Sequence, residues 1–226
     1  MKRAASRESS ASGADNGGDA APRERSGEKL ERLLGTAAAL MARQGYDQTS
    51  IRDVGRETGY SLAGMYYYFA SKEDLLFQIQ QRTFASLLAE QEREVKRGQT
   101  PEEKLEFLVR NYLDFFTRHA NELKICAFEI ESVKGEQYGE IERLRRRYFR
   151  LAHGVVRELM GGNGRGAAAS SHVRHFTLFI FGMLNWVFLW HDPRRDGSAT
   201  RLADDMLRLI LNGLPREGAA EDRTGT

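Results

Sequence analysis

TSIRDVGRETGYSLAGMYYYFASKEDLL, running from Thr49 to Leu76, decides how the rest of the chain is read. Ser50 and Asp53 have capping-box spacing, so a helix is expected to start at Thr49 or Ser50. Ile51 and Val54 give it an apolar side. Gly55, a small residue in mid-helix, costs about 1 kcal/mol against alanine, which makes sense where a second helix approaches closely. Gly59 suits a tight turn because glycine takes a positive φ without steric penalty. Ser61 can cap a second helix, Leu62 to Tyr68, with Met65, Tyr68 and Phe69 inward and Leu62, Ala63, Gly64 and Tyr67 outward. Ser71 and Asp74 form another capping box and open a longer helix. This spacing is that of a helix-turn-helix, whose second helix enters a DNA major groove; an ordinary helical hairpin has the same local features.

Working outward, Glu28 to Gln44 carries Leu30, Leu33, Leu34, Ala37, Ala38 and Met41 at helical spacing, and Gly45 stops it. The helix opened by Ser71 is expected to reach about Arg97 as a strut into a second domain. Thr100-Pro101-Glu102-Glu103 restarts the chain with a cap, an N1 proline and an acid at N3. Further helices are expected around Leu105 to Phe116, in the short apolar run Leu123 to Val133, and from Glu140 to Met160. Gly135 and Gly139 would bracket a turn. Gly161 to Gly166 is glycine-rich but lacks the Gly-Lys-Ser/Thr of a phosphate loop. Ser170 or Ser171 can cap a very apolar helix that Asp192-Pro193 ends. That run, Phe176 to Trp190, is read as too short for a membrane span and therefore buried on both sides. The last helix, Ala199 to Leu214, bears two apolar stripes. The expectation is an all-α protein: an arm over 1–27, a DNA-binding head over 28–76, a helical bundle over 77–214 and a tail over 215–226. The composition of the arm and the tail suits disorder.

The stretch Leu33 to Ile79 resembles the N-terminal domain of the TetR (tetracycline-repressor) family of bacterial transcription regulators. The resemblance rests on Gly45-Tyr46, Thr49-Ser50-Ile51, Gly59-Tyr60-Ser61, Tyr66-Tyr67-Tyr68-Phe69 and Ser71-Lys72-Glu73-Asp74-Leu75-Leu76. It covers about a fifth of the chain. The chain departs from the common pattern at Met41, Gly55, Leu62 and Ala63-Gly64, and the last two departures alter the base-reading face. The resemblance implies a homodimeric, ligand-released repressor bound to a near-palindromic DNA operator. It implies phosphate contacts from Thr49, Tyr66, Tyr67 and Lys72, with Ser61, Leu62, Ala63 and Gly64 nearest the bases. It also implies pairing through the last two helices. The surplus apolar faces there put Phe176, Phe179, Met183, Val187, Leu202, Met206, Leu209 and Ile210 at the dimer interface.

The bundle is rich in aromatics, and an apolar pocket between its helices is the default effector site. Tyr112, Phe116, Phe128, Phe149, Phe181, Asn185 and Trp186 are the expected lining. Asn185 is open to either a ligand or a partner chain. The string Gly182-Met183-Leu184-Asn185-Trp186 with Trp190 is similar to the corresponding helix of relatives that sense acyl-CoA thioesters. Arg146, in the row Arg143, Arg146, Arg147, Arg150, offers guanidinium for the phosphates of such a ligand; ion pairing with Glu140 and Glu142 would occupy the row instead. A hydrophobic drug is the alternative effector, and a helical protein-binding scaffold the alternative function.

Composition narrows the classes. The chain has 226 residues, 41% hydrophobic, and a net charge of +2, so nucleic-acid contact must come from a local patch. The single cysteine, Cys126, rules out an intrachain disulfide and fits the cytoplasm. His172 and His175 stand three apart without a companion ligand, and His119, His153 and His191 are scattered, so no metal or other cofactor is expected. No catalytic motif is present, and the expectation is a protein that is not an enzyme.

Overall fold

The computed structural model describes residues 22–161 and 167–213, with side chains over 27–161 and 171–213. The expected tail, most of the expected arm, the centre of the glycine-rich loop and Leu214 lie outside these residues. The described residues are helical and contain no strand. Helix α1 spans Pro22–Gln44, α2 Ile51–Thr58, α3 Leu62–Tyr68 and α4 Lys72–Val95. They are followed by α5 Pro101–Arg118, α6 Ala120–Phe128, a 3₁₀ turn Ile130–Ser132, and α7 Gly135–Leu159. The chain closes with α8 Ala167–Asn185, α9 Val187–Trp190, α10 Pro193–Asp196 and α11 Ala199–Asn212.

Several boundaries differ from expectation. Helix α1 starts at Pro22, inside the supposed arm, because proline is tolerated in a first helical turn. Gly139 lies within α7 rather than at the end of a turn, and α8 begins before Ser170. At α4 the Ser71 hydroxyl accepts from the Asp74 amide as expected, but the Asp74 carboxylate turns back to the Ala70 amide at 2.9 Å.

Two cores are joined by α4. The head core gathers Leu33, Leu34, Met41, Ile51, Val54, Met65, Phe69, Leu75 and Ile79 from α1 to α4. The body core gathers Leu87, Leu88, Leu105, Phe115, Tyr148, Val155, Ile180 and Leu184. The division is not clean at residue 76, because Ile125 of α6 and Ile141 of α7 pack into the head core. Head and body therefore share apolar surface that neither could bury alone.

The apolar run on α8 is corrected in two respects. Ser171–Trp190 is long and apolar enough to cross a membrane by length and composition. It is built into the bundle instead: Val173, Thr177, Ile180, Leu184 and Val187 are buried. It is also not buried on both sides, since Phe176, Leu178, Phe179 and Trp186 are exposed in the single chain.

Candidate DNA-binding and effector sites

The head's sharp turn follows from local chemistry. Ser50 caps α2, its hydroxyl accepting from the Asp53 amide at 3.2 Å while Asp53 accepts from the Ser50 amide at 3.0 Å. Gly59 ends α2 at φ 76°, a left-handed conformation that favours glycine. Gly55 is where the two helices close: a Cβ there would stand 2.9 Å from the Tyr60 carbonyl oxygen and 3.1 Å from Met65 Cγ. Met65 and Phe69 anchor α3 at full burial, which rolls Leu62, Ala63, Tyr66 and Tyr67 outward. Tyr67 is 83% exposed. Ser61 caps α3 by accepting from the Gly64 amide at 3.1 Å, and Gly64 is half-buried.

The starts of α2, α3 and α4 frame a shallow recess lined by Thr49, Ser50, Arg52, Leu62, Tyr66, Ser71 and Lys72. Tyr66 and Lys72 stand at it as expected. Thr49 lines it too, but with its hydroxyl engaged inside the fold. It is 1% exposed, and its hydroxyl donates to the Gly45 carbonyl at 2.8 Å while accepting from Gln44 Nε2 at 3.2 Å. The hydroxyl closes the turn after α1. Lys72 is also engaged within the fold. Its ammonium donates to the carbonyls of Tyr46 at 3.1 Å and Asp47 at 3.3 Å, 4.2 Å above the Tyr46 ring. Three ammonium protons leave one for an external acceptor.

In the body, a cavity of about 240 Å³ lies between α4, α5, α6, α7 and α8. Tyr112, Phe149, Phe181 and Asn185 line it as expected. The Tyr112 hydroxyl donates to Asn185 Oδ1 at 2.9 Å, and burial pushes its phenol well above the ordinary value, so it stays protonated. Phe149 and Phe181 stack with centroids 5.9 Å apart, and Tyr148 meets Phe181 edge-on at 5.1 Å. Four expected residues lie elsewhere. Phe116 is buried away from the cavity, edge-on to His191. Phe128 is exposed beside Trp186 and Phe188. Trp186 lies on the outer side of the body. Arg146 points to solvent and donates to Glu142 at 2.8 Å.

The neighbouring Arg145 takes the position expected of Arg146. It lines the cavity and, among the described residues, its ion pair is a 3.4 Å contact to Glu142. Of the rest of the row, Arg147 forms a bidentate pair with Glu92, both contacts at 2.7 Å. Tyr148 and Cys126 also line the wall. Burial pushes the Cys126 thiol far above its usual value, which suits an inert wall residue. The Tyr148 oxygen accepts from Gln91 Nε2 at 3.5 Å, a long contact.

On the outside, Leu178, Phe179, Met183, Trp186, Trp190, Leu202 and Leu209 line an apolar groove between α8 and α11. Phe176 and Phe179 are 50% and 62% exposed, and Leu209 is exposed. One residue expected on this face is turned inward: Val187 is fully buried, whereas Met206, 7% exposed, still lines the floor of the groove. Ile210 is half-buried.

Helix α6 touches both regions. Leu123, Cys126 and Ala127 line the cavity, while Ile125 belongs to the head core. Between them Lys124 donates to the Ala42 carbonyl at 2.7 Å, in the last turn of α1. Nearby, Gln80 of α4 donates to the Glu129 carbonyl at 2.8 Å.

Comparison with known proteins finds two family models that match this chain. A family model described as "Bacterial regulatory proteins, tetR family" matches residues 33–79. A second, "Tetracyclin repressor-like, C-terminal domain", matches residues 98–214. The fatty acid metabolism regulator protein of Bacillus subtilis is 22% identical over 191 residues, 82% of this chain and 95% of that protein. The solved structure of PfmR, a TetR family transcriptional regulator from Thermus thermophilus, superimposes with TM-score 0.72 at 27% identity, covering 82% of this chain and 96% of the other. The structure of AibR in complex with isovaleryl coenzyme A and operator DNA superimposes with TM-score 0.70 at 23% identity, covering 80% and 97%.

Proposed function

The chain belongs to the tetR family of bacterial regulatory proteins, and from that premise we propose how its two sites act together. It is a DNA-binding transcriptional regulator, a repressor released by a small ligand, and its relatives are regulators rather than enzymes. Two copies pair across the α8–α11 groove, burying Phe176, Phe179, Met183, Trp186 and Leu209. Pairing sets two α3 helices about one DNA turn apart, roughly 34–36 Å, on a near-palindromic operator. Tyr66, Tyr67 and Lys72 hold phosphates, and Ser61, Leu62, Ala63 and Gly64 lie against the bases. The protein works in the cytoplasm, where the DNA is.

The observation that carries the mechanism is the double attachment of α6, through Leu123, Cys126 and Ala127 to the cavity and through Ile125 and Lys124 to the head. A ligand that fits the cavity better when α6 shifts favours a different head spacing. It thereby moves the population away from the DNA-binding state.

The effector is an acyl-CoA with a short acyl group. The cavity, about 240 Å³, is below the range of about 300–1,000 Å³ typical for drug-sized ligands. Its lining includes Arg145 and, among the described residues, no carboxylate, which weighs against a cationic drug. The isovaleryl coenzyme A bound by AibR carries a short acyl group of the kind this cavity could hold. The acyl group lies among Tyr112, Phe149 and Phe181, and the thioester end leaves past Arg145. Fluorescence anisotropy on the protein's own upstream DNA, with a graded series of acyl-CoAs, free acids and apolar drugs, tests this. Short acyl-CoAs should release the DNA and raise the melting temperature. Release by free acids or drugs alone would overturn the thioester assignment, and absence of any DNA complex would overturn the repressor reading.

A further inference from the structure

We infer that α3 reads its operator through thymine methyl groups, with Leu62 and Ala63 as the specificity-determining residues. This rests on the proposed DNA-binding role of the head.

The seven residues of α3, Leu62 to Tyr68, include no Arg, Lys, Asn or Gln. Those four side chains make the common bidentate pairs with guanine and adenine edges in the major groove. The exposed part of the first turn is instead the isobutyl group of Leu62, 36% exposed, and the methyl group of Ala63. The polar groups beside them lie outside α3 or carry a single hydroxyl each. Ser61 Oγ accepts from the Gly64 amide at 3.1 Å. Arg56 of α2 is paired with Asp53 at 2.6 Å. Arg52 and Tyr66 line the recess with Lys72, and Leu62 stands at the same recess beside them. Tyr67 offers a single hydroxyl on the last turn.

The surface is also smooth. A Cβ on Gly64 would lie 3.3 Å from Ser61 Oγ and 3.4 Å from Tyr60 Cδ1, so the chain keeps its smallest residue where the first turn packs on the preceding loop. The thymine C5-methyl is the apolar group that a base pair presents in the major groove. An exposed leucine and alanine at the front of a groove-entering helix match it and match no hydrogen-bonding edge.

The test uses the full chain. An operator is selected from a random duplex pool at fixed salt. Each thymine is then replaced singly by deoxyuridine, which removes only the methyl group. One or two thymines in each half-site should show about a fourfold loss of affinity, the worth of one buried methylene-sized group. Leu62→Ala should bind the parent operator more weakly and lose the thymine-over-uracil preference at one of those positions. A helical circular-dichroism signal equal to the parent's would establish that this variant is folded. Leu62→Gln should gain a preference for adenine there. An enriched operator on which every uracil substitution is silent overturns the inference and leaves the DNA-binding role standing. A pool from which nothing is enriched overturns both.

Discussion

The Tyr112 hydroxyl donates to Asn185 Oδ1 across 2.9 Å, tying the middle of α5 to the last residue of α8. The next residue, Trp186, stands in the break between α8 and α9 with its side chain on the outer groove. The cavity and the proposed dimer face are thus one residue apart. Tyr112→Phe removes one hydrogen bond and should cost about 1 kcal/mol of stability at most, because water can reach the exposed Asn185. Effector affinity should fall by about fivefold, about 1 kcal/mol, because the bond sets Asn185 in the cavity wall. Thermal unfolding with and without effector separates the two.

Lys72→Ala should weaken the head twice over. Losing the contacts to the Tyr46 and Asp47 carbonyls loosens the α1–α2 turn, lowering stability by about 1–2 kcal/mol. Loss of the phosphate contact should reduce all DNA affinities alike and lower the salt slope by about 1. Titrations at several salt concentrations check the slope. An unchanged slope with lowered stability would make Lys72 a structural residue alone.

Tyr46→Phe should leave stability unchanged or raise it by about 1 kcal/mol. The Tyr46 hydroxyl is buried without a hydrogen-bond partner among the described residues, and removing an unsatisfied polar group relieves its desolvation cost. Burial, with Glu73 nearby, pushes its phenol up to about 12. Denaturant unfolding measures the change, and a clear loss would show that the hydroxyl finds a partner in solution.

Acid should loosen the head through Asp53. Its hydrogen bonds from the Ser50 side chain and backbone hold its carboxyl below the ordinary value. A depressed folded-state pKa contributes stability that is present above the unfolded value and lost as pH falls through the folded one. Stability should therefore decline on acidification below the ordinary carboxylate range of about 4. Asp53→Ala, already lacking the capping box, should decline less steeply over the same interval. Melting temperatures between neutral and acid pH for both proteins give the comparison.

The head was legible because its signals are local. Ser50 with Asp53, Gly59 and Ser61 each specify a cap or turn within a few residues, and the structure has each of them where the spacing puts it. Gly55 was legible as a close contact for the same reason. The body was legible as helices but not as a site. On α7 one residue turns the side chain by about 100°, so Arg145 faces the cavity and Arg146 faces water, and a row of arginines does not say which. The same rotation turns Val187 into the core and sets Trp186 outside. Phe116 and Phe128 were named for their aromatic character alone, which says nothing about which neighbouring helix they meet. No local signal shows that the Thr49 hydroxyl closes the turn after α1 by bonding the Gly45 carbonyl.

The double attachment of α6 has a thermodynamic corollary. Coupling between two ligands of one protein is reciprocal, so whatever factor the effector removes from operator affinity, the operator must remove from effector affinity. Couplings of this kind are typically about 5–150-fold. The protein on its operator is therefore a poorer receptor than the same protein free, and a measured effector constant depends on how much operator is in the tube. In a cell, promoters sharing this regulator would raise the effector concentration needed for induction simply by their number. The contacts of Lys124 and Ile125 would make gene dosage part of the response threshold.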